Sequence, residues 1–344
     1  MKIKNDKKLL FFLVRPFLDK GKVKINKKIF EKWGLDDGKI KLSKNLEEAH
    51  ILLIPYNINH YFDNRHSSYL EKYNSLCGFH GIKGIGIISG DFGVKFPTYE
   101  YLTYFRYGGF KQQLDINNKG FPAALSDQNM KLFNNERISI NEKKERPTIG
   151  FCGHATNNAI TYLHQSFNFV RENIFRFFED PLNSVYEPIF QSANERYKIL
   201  KKLETYPEIV TNFIYRDKYR AGANTESQLR RTTMEHYQNI RGSDYVICLR
   251  GTGNFSIRFY ETLMMGRVPV FIDTDCFLPF SNLINWNDHI IIVKWNEISN
   301  LKDVILNFHQ NISSNDFKHV QKSNRMLWKE KLNPQWILEN LLKI

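Results

Sequence analysis

Short apolar runs bounded by polar or glycine-rich segments recur along this chain, and between them apolar positions step at helical spacing. The clearest such pattern spans residues 244–275. Positions 245–249 are apolar and rich in strand formers, and 250–256 hold two glycines, a threonine, an asparagine and a serine. Helical periodicity follows over 257–265 and stops at Gly266; the next apolar run, 268–272, is closed by Asp273. The pattern predicts strand, loop, helix and strand. Such a unit aims backbone N–H groups and a helix N-terminus at one place, which suits an anion such as a phosphate.

The same alternation extends upstream and downstream. Residues 8–14, 49–55 and 82–89 read as buried strands, 56–62 as a polar aromatic loop and 67–77 as a helix. The third run ends in Gly90-Asp91-Phe92-Gly93. Residues 134–147 are charged and read as a linker. A strand restarts at 148–152 and leads into Gly153 and His154. Residues 157–207 read as helices rich in phenylalanine and tyrosine, and 209–215 as a strand. Residues 216–231 form a basic loop running into a helix that ends near Arg241. A strand at 290–293 and a helix over 316–344, broken at Asn333-Pro334, complete the chain. Strands alternating with helices imply parallel sheets with right-handed crossovers, whose ligands sit at the carboxyl ends of strands. Asp91 falls at such an end.

A chain of 344 residues fits two domains. The boundaries expected are 1–147, 148–330 and a last helix, 331–344, packing back on the first domain. The apolar content of 42% is that of a globular protein. The four cysteines are far apart and form no CxxC pair, which argues against metal or redox motifs and for a reduced compartment. The apolar run at 9–14 is ended by Arg15, too short for an anchor, and no stretch approaches the ~20 apolar residues of a membrane span. The net charge of +13 is uneven: residues 1–147 carry 26 Lys+Arg against 16 Asp+Glu, the remainder 23 against 20. A basic first half fits an anionic partner, whether membrane, acidic glycan or nucleic acid, or simply a well-solvated surface.

Candidate chemistry centres on the 250–261 segment. Gly251-x-Gly253-x-x-Ser256 is a degenerate dinucleotide fingerprint, and Asp273 stands where that motif places its ribose-binding acid, so an NAD(P)-type oxidoreductase is one reading. Its third glycine is a serine, and Arg250 and Arg258 frame the loop. Arg258, Glu261, Thr262 and Met265 share one helix face. A cation in the first turn opposes the helix dipole, so Arg258 either binds an anion or pairs with Glu261. A glutamate one turn in can accept both hydroxyls of a ribose. Asp273-Thr274-Asp275 is a DxD, weak evidence for a divalent metal. The basic aromatic stretch 215–231 could touch nucleic acid, but no nucleic-acid module surrounds it.

These residues carry a resemblance. Arg250-Gly251, then Ser256-x-Arg258-x-x-Glu261, Gly266-x-x-Pro269-Val270, Leu278-Pro279-Phe280 and Trp286 resemble the exostosin family, family 47 of the glycosyltransferases. Residues 48–55, Ser89-Gly90-Asp91-Phe92-Gly93, and Arg146-Pro147 ahead of a strand ending in Gly153 resemble its upstream segments. The resemblance implies an α/β GT-B fold, two Rossmann-like domains facing across a cleft, with the acceptor on the N-terminal domain and the nucleotide-sugar donor on the C-terminal one. It implies inverting transfer from a nucleoside-diphosphate sugar, commonly UDP-linked, to a glycan hydroxyl. Carried over, Arg250, Ser256 and Arg258 contact the diphosphate, Glu261 the ribose, and Gly153 and His154 line the same place, with Gly251, Thr252 and Asn254 completing the donor loop. The family's usual histidine before the aspartate is Gly90 here, its usual cysteine after the helix glycine is Arg267, and the anchor usual in eukaryotic members is missing, which suggests either a bacterial-type, cytoplasmic enzyme or a chain whose anchor has been removed. Inverting transfer needs a base for the acceptor proton and positive charge for the leaving diphosphate. Asp91 is the expected base, with His60 and Glu100 behind it. The expected partners are a glycan or lipid-linked glycan acceptor in surface polysaccharide synthesis and an anionic membrane face, with no cofactor, no metal and no nucleic acid.

Overall fold

The computed structural model describes residues 46–54, 57–63, 65–123, 125–179, 185–332, 336 and 340. The strand expected at 8–14 and most of the 331–344 segment lie outside the described residues.

The chain folds as two compact units. The first ends at Ser126 and also takes in Phe277–Leu283 and the residues from Lys331 onward; the second comprises Asp127–Cys276 and Ile284–Glu330. Each is built on a parallel sheet, the two Rossmann-like α/β units expected of a GT-B chain.

In the first unit, strands β1 (Ile51–Leu53), β2 (Lys83–Ile88), β3 (Leu102–Arg106) and β4 (Asn118–Gly120) pair in that order. All three pairings are parallel. Helix α1 (Ile58–Asp63) occupies part of the segment expected as a loop, because Ile58 and Tyr61 find a core to bury against. Helix α2 (Ser68–His80) precedes β2. Strands β3 and β4 carry no long apolar run and are not evident from the pattern. Arg106 anchors this edge from a buried position, donating to the Gly108 and Val94 carbonyls and to Asn118 Oδ1.

In the second unit, β5 (Thr148–His154), β6 (Val210–Arg216), β7 (Tyr245–Cys248), β8 (Val268–Asp273) and β9 (Ile291–Lys294) pair in the spatial order β6-β5-β7-β8-β9. That is the doubly wound order 2-1-3-4-5. Helix α3 (Gln128–Phe133) precedes these strands, and between and after them run α4 (Ala159–Glu179), α5 (Ser192–Glu204), α6 (Glu226–Arg241), α7 (Ile257–Met264), α8 (Leu301–Asn311) and α9 (Ser314–Lys331). Strands β5 and β7 are buried almost end to end, as parallel strands covered on both faces require. Ile149, Phe151, Ile247, Val270 and Ile272 join Leu200, Ile305 and Phe317 of the helices in one core.

The segment 134–147, expected as a linker, lies within the second unit, which begins at Asp127, and is tied to it. The Asn141 amide group bonds Asp244 and the Ser243 carbonyl, and its backbone N–H donates to Gln321 Oε1 at 2.8 Å. Arg267, fully buried, completes this strap. Its guanidinium donates to the carbonyls of Ser139 and Arg241 and to the side chains of Asn141 and Gln321. The departure from the family's usual cysteine is thus a structural cross-tie: one planar fork with five donors meets acceptors from three segments.

Candidate functional site

In a 2-1-3-4-5 sheet the chain leaves the first strand toward one edge and the third toward the other. The crevice outside their carboxyl ends is the place for a ligand. Here those ends are Gly153-His154 after β5 and Leu249-Arg250 after β7. Three arginines gather there.

Arg258 stands in the first turn of α7. Its Nη2 donates to the Cys152 carbonyl at 3.0 Å, and its guanidinium lies 4.1 Å from the centroid of the Phe151 ring. Gly153 makes room for it: a Cβ at Gly153 would stand 2.4 Å from Arg258 Nη2. The surface pair with Glu261 is not formed. Arg196, on α5, was not evident in the sequence. Its guanidinium donates to the carbonyls of His154 at 3.3 Å, Leu249 at 3.1 Å and Arg250 at 2.7 Å, clamping both strand ends. Arg250 is buried over the Phe190 ring, donates to the Thr252 carbonyl at 2.7 Å and reaches Glu187 at 3.4 Å.

The hydrogen bonds of Arg196 and Arg258 all go to main-chain carbonyls, and the Nε of each is buried without a partner. Burial, then the charges of Arg258 and Arg250, push the Arg196 guanidinium down to about 9; burial also lowers Arg258. Guanidinium charge taken partly out of water is costly to leave on carbonyls alone, and the strand ends are where an added anion would offset it. His154 belongs to the same cluster. Its Nε2 is buried without a partner, and burial followed by the Arg196 charge lowers its pKa, so the ring is neutral at pH 7.

Behind Arg258 lies a second device that the sequence did not disclose. His236, on α6, places Nδ1 3.2 Å from the Cys152 carbonyl and Nε2 2.8 Å from Glu261 Oε2. Both partners only accept, so both ring nitrogens donate and the ring is an imidazolium. Burial works against that charge, but the Glu261 carboxylate and the two hydrogen bonds outweigh it and raise the pKa to about 9. Glu261 also accepts from the Tyr237 hydroxyl at 3.1 Å. Burial raises its pKa, while His236, Arg258 and Tyr237 together bring it below the usual value. Glu261 is thus held by His236 and Tyr237.

The remaining loop residues build the cradle. Asn254 is fully buried, donates to the carbonyls of Thr274 and Asp275, and accepts from the Thr274 hydroxyl at 2.6 Å. Ser256 is buried at the N-cap of α7 without a side-chain capping bond. Thr252 supplies the carbonyl for Arg250, and a Cβ at Gly251 would stand 3.8 Å from Arg196 Nη2. The Gly251 N–H donates to the Phe255 carbonyl and the Phe255 N–H to that of Gly253. Those amides are therefore engaged inside the loop, where a dinucleotide fingerprint would turn them to a pyrophosphate. The loop also follows the unit's third strand, not its first, which is where that fingerprint belongs. Asp273 of the DxD uses Oδ1 to accept the Cys276 N–H.

Asp91 lies in the first unit, on the bend after β2, and keeps solvent access. Gly90 before it has φ 103, a conformation a histidine would adopt only under strain. Asn57 and Asn59 bond Ser89 and fix this strand end.

In a doubly wound unit the ends of the first and third strands, here lined by Arg196 and Arg258, are the usual place for a ligand. In comparison with known proteins, residues 156–308 match the model of the exostosin GT47 domain. A probable glycosyltransferase of Arabidopsis thaliana is 33% identical over 86 residues, 25% of this chain and 17% of its own. An exostosin-1 homolog of Caenorhabditis elegans is 30% identical over 111 residues, 32% of this chain and 28% of its own. The matches thus span less than a third of these relatives' lengths. The crystal structure of TarM superposes on 76% of this chain and 50% of its own, at 13% identity and a TM-score of 0.35. At that distance the fold described above rests on this chain's own sheets.

Proposed function

We propose that this chain is an inverting glycosyltransferase that moves a sugar from a nucleoside diphosphate, UDP in the first instance, to a glycan hydroxyl. One observation carries the proposal: Arg196 and Arg258 converge, half-buried, at the β5–β7 switch point, hydrogen-bonded only to main-chain carbonyls, and each keeps a buried Nε without a partner. A diphosphate brings negative charge to these guanidiniums, gains charge as the sugar departs, and is stabilised there by groups that need no reorganisation. The exostosin GT47 domain over residues 156–308 supports the same class. Glu261, oriented by His236 and Tyr237, is assigned to the ribose, and Ser256 with the 251–254 loop to the diphosphate. Asp91 is assigned as the base. It keeps solvent access, and partial burial raises its carboxyl above the usual range, toward the pH at which a base works. The glycan acceptor, a role in surface polysaccharide synthesis, and a cytoplasmic site of action beside an anionic membrane follow from the resemblance and from the basic first 147 residues. Among the described residues no helix is long and apolar enough to cross a membrane.

The test is a screen of nucleotide sugars with mass detection of product. One donor is expected to give transfer or slow hydrolysis that is lost in Arg258→Ala. Retention of full transfer in Asp91→Ala would remove Asp91 as the base while leaving the class standing. Turnover of NAD(P) in place of any sugar nucleotide would overturn the class.

A further inference from the structure

Helix α4 is mounted the wrong way round for a surface helix of an isolated domain. Its polar side faces its own unit: Gln165 accepts from the Ala193 N–H, Ser166 from Gln191, and Asn173 exchanges two bonds with the backbone of Glu187. Its apolar side faces outward. Ile160, Leu163, Phe167, Val170, Ile174 and Phe177 are between 41% and 77% exposed. They follow one another at steps of three, four, three, four and three residues, the a/d spacing of a coiled-coil seam held over the whole helix.

We propose that this face is where a second copy of the chain docks, through an antiparallel α4–α4 pair about a two-fold axis. The area suits it. Phe167, Phe175, Phe177 and Phe178 are each half or more exposed, which at ~150–250 Å² per aromatic side chain comes to roughly 500 Å². With the aliphatic positions, each copy offers close to the ~800 Å² per partner of a stable interface, more than lone monomers commonly leave open. The sequence is also self-complementary in the antiparallel sense. With Phe167 opposite Val170 of the second copy, Leu163 meets Ile174 and Ile160 meets Phe177, so large residues face small ones in the outer and inner layers. Arg171, the charged residue exposed on this face, falls opposite Ser166 and meets no like charge. A membrane-surface helix needs a lysine- and arginine-rich polar side turned to the headgroups. The polar side of α4 is turned into the protein, which favours a protein partner.

Light scattering on the full chain tests this. The wild type is expected at twice the 40.8 kDa chain mass, and Phe167→Glu/Ile174→Glu at one chain mass with a cooperative melting transition, since both positions are exposed on the single chain. The four native cysteines are buried, so engineered thiols report cleanly. Leu163→Cys/Ile174→Cys is expected to cross-link on oxidation and Leu163→Cys alone not to. A wild type that stays monomeric at all concentrations, or a dimer that survives the double glutamate variant, would overturn the proposal. So would a cross-link from Leu163→Cys alone, which marks parallel pairing. A monomer that pellets with phosphatidylcholine–phosphatidylglycerol vesicles only when Phe167 and Ile174 are intact would also overturn it, since the face would then be a lipid contact.

Discussion

Residue by residue, the second unit keeps opposite charges apart where a ligand belongs and together where the scaffold must hold. Glu261 is ion-paired with His236, whereas the hydrogen bonds of Arg258 and Arg196 go only to carbonyls. Two expectations follow at this scale. The His236 pKa of about 9 lies above the ordinary histidine value, so the stability it contributes is complete below pH ~6.5 and lost as pH rises through about 9. Urea denaturation of the wild type is expected to show a decline on the order of 3 kcal/mol or less across that window, absent in His236→Gln. A flat profile for the wild type would remove the imidazolium. Gly153→Ala places a Cβ against Arg258 Nη2, the mobile end of a side chain. It is expected to leave the melting temperature within a few degrees while weakening UDP binding about tenfold or more, measured by calorimetry. Unchanged binding would show that the Arg258 position is not critical.

At the scale of elements, the reach of sequence reasoning is visible in particular stretches. The β7–loop–α7–β8 unit was legible because each part is a local signal: an apolar run, a glycine-rich loop, a helical period, a stop at Gly266. Arg250 and Arg258 were legible with it. Arg196 and His236 were not, because each sits on a helix whose own pattern says nothing of the strand ends it reaches. Strands β3 and β4 escaped because LTYFR and NKG are polar enough to pass for loop. The 134–147 segment misled by composition, since its charge hides Ser139 and Asn141, whose bonds to Arg267 make it a strap. Arg267→Ala strips donors from several buried acceptors at ~1–3 kcal/mol each and is expected to cost at least about 3 kcal/mol of stability by chemical denaturation. A cost below 1 kcal/mol would show that the strap is held elsewhere.

At the scale of the whole molecule, two parallel-sheet units in one chain match the fold expected, and the second also has the strand order that creates a ligand crevice by topology alone. The sequence pointed to that crevice through its arginines and through the family resemblance, not through its glycines. The glycine fingerprint was compatible with two nucleotide chemistries, and the bonding of Gly251 and Phe255 within the loop separates them. The proposed activity depends on an anion seat at the ends of β5 and β7. Isothermal titration calorimetry with UDP, run on the wild type, Arg196→Ala and Arg258→Ala, addresses it directly. UDP is expected to bind the wild type, NADH not to, and each alanine variant to lose at least about tenfold in affinity, the ~1.5–3 kcal/mol of a charged hydrogen bond. NADH binding in place of UDP, or UDP affinity unchanged in both variants, would contradict it.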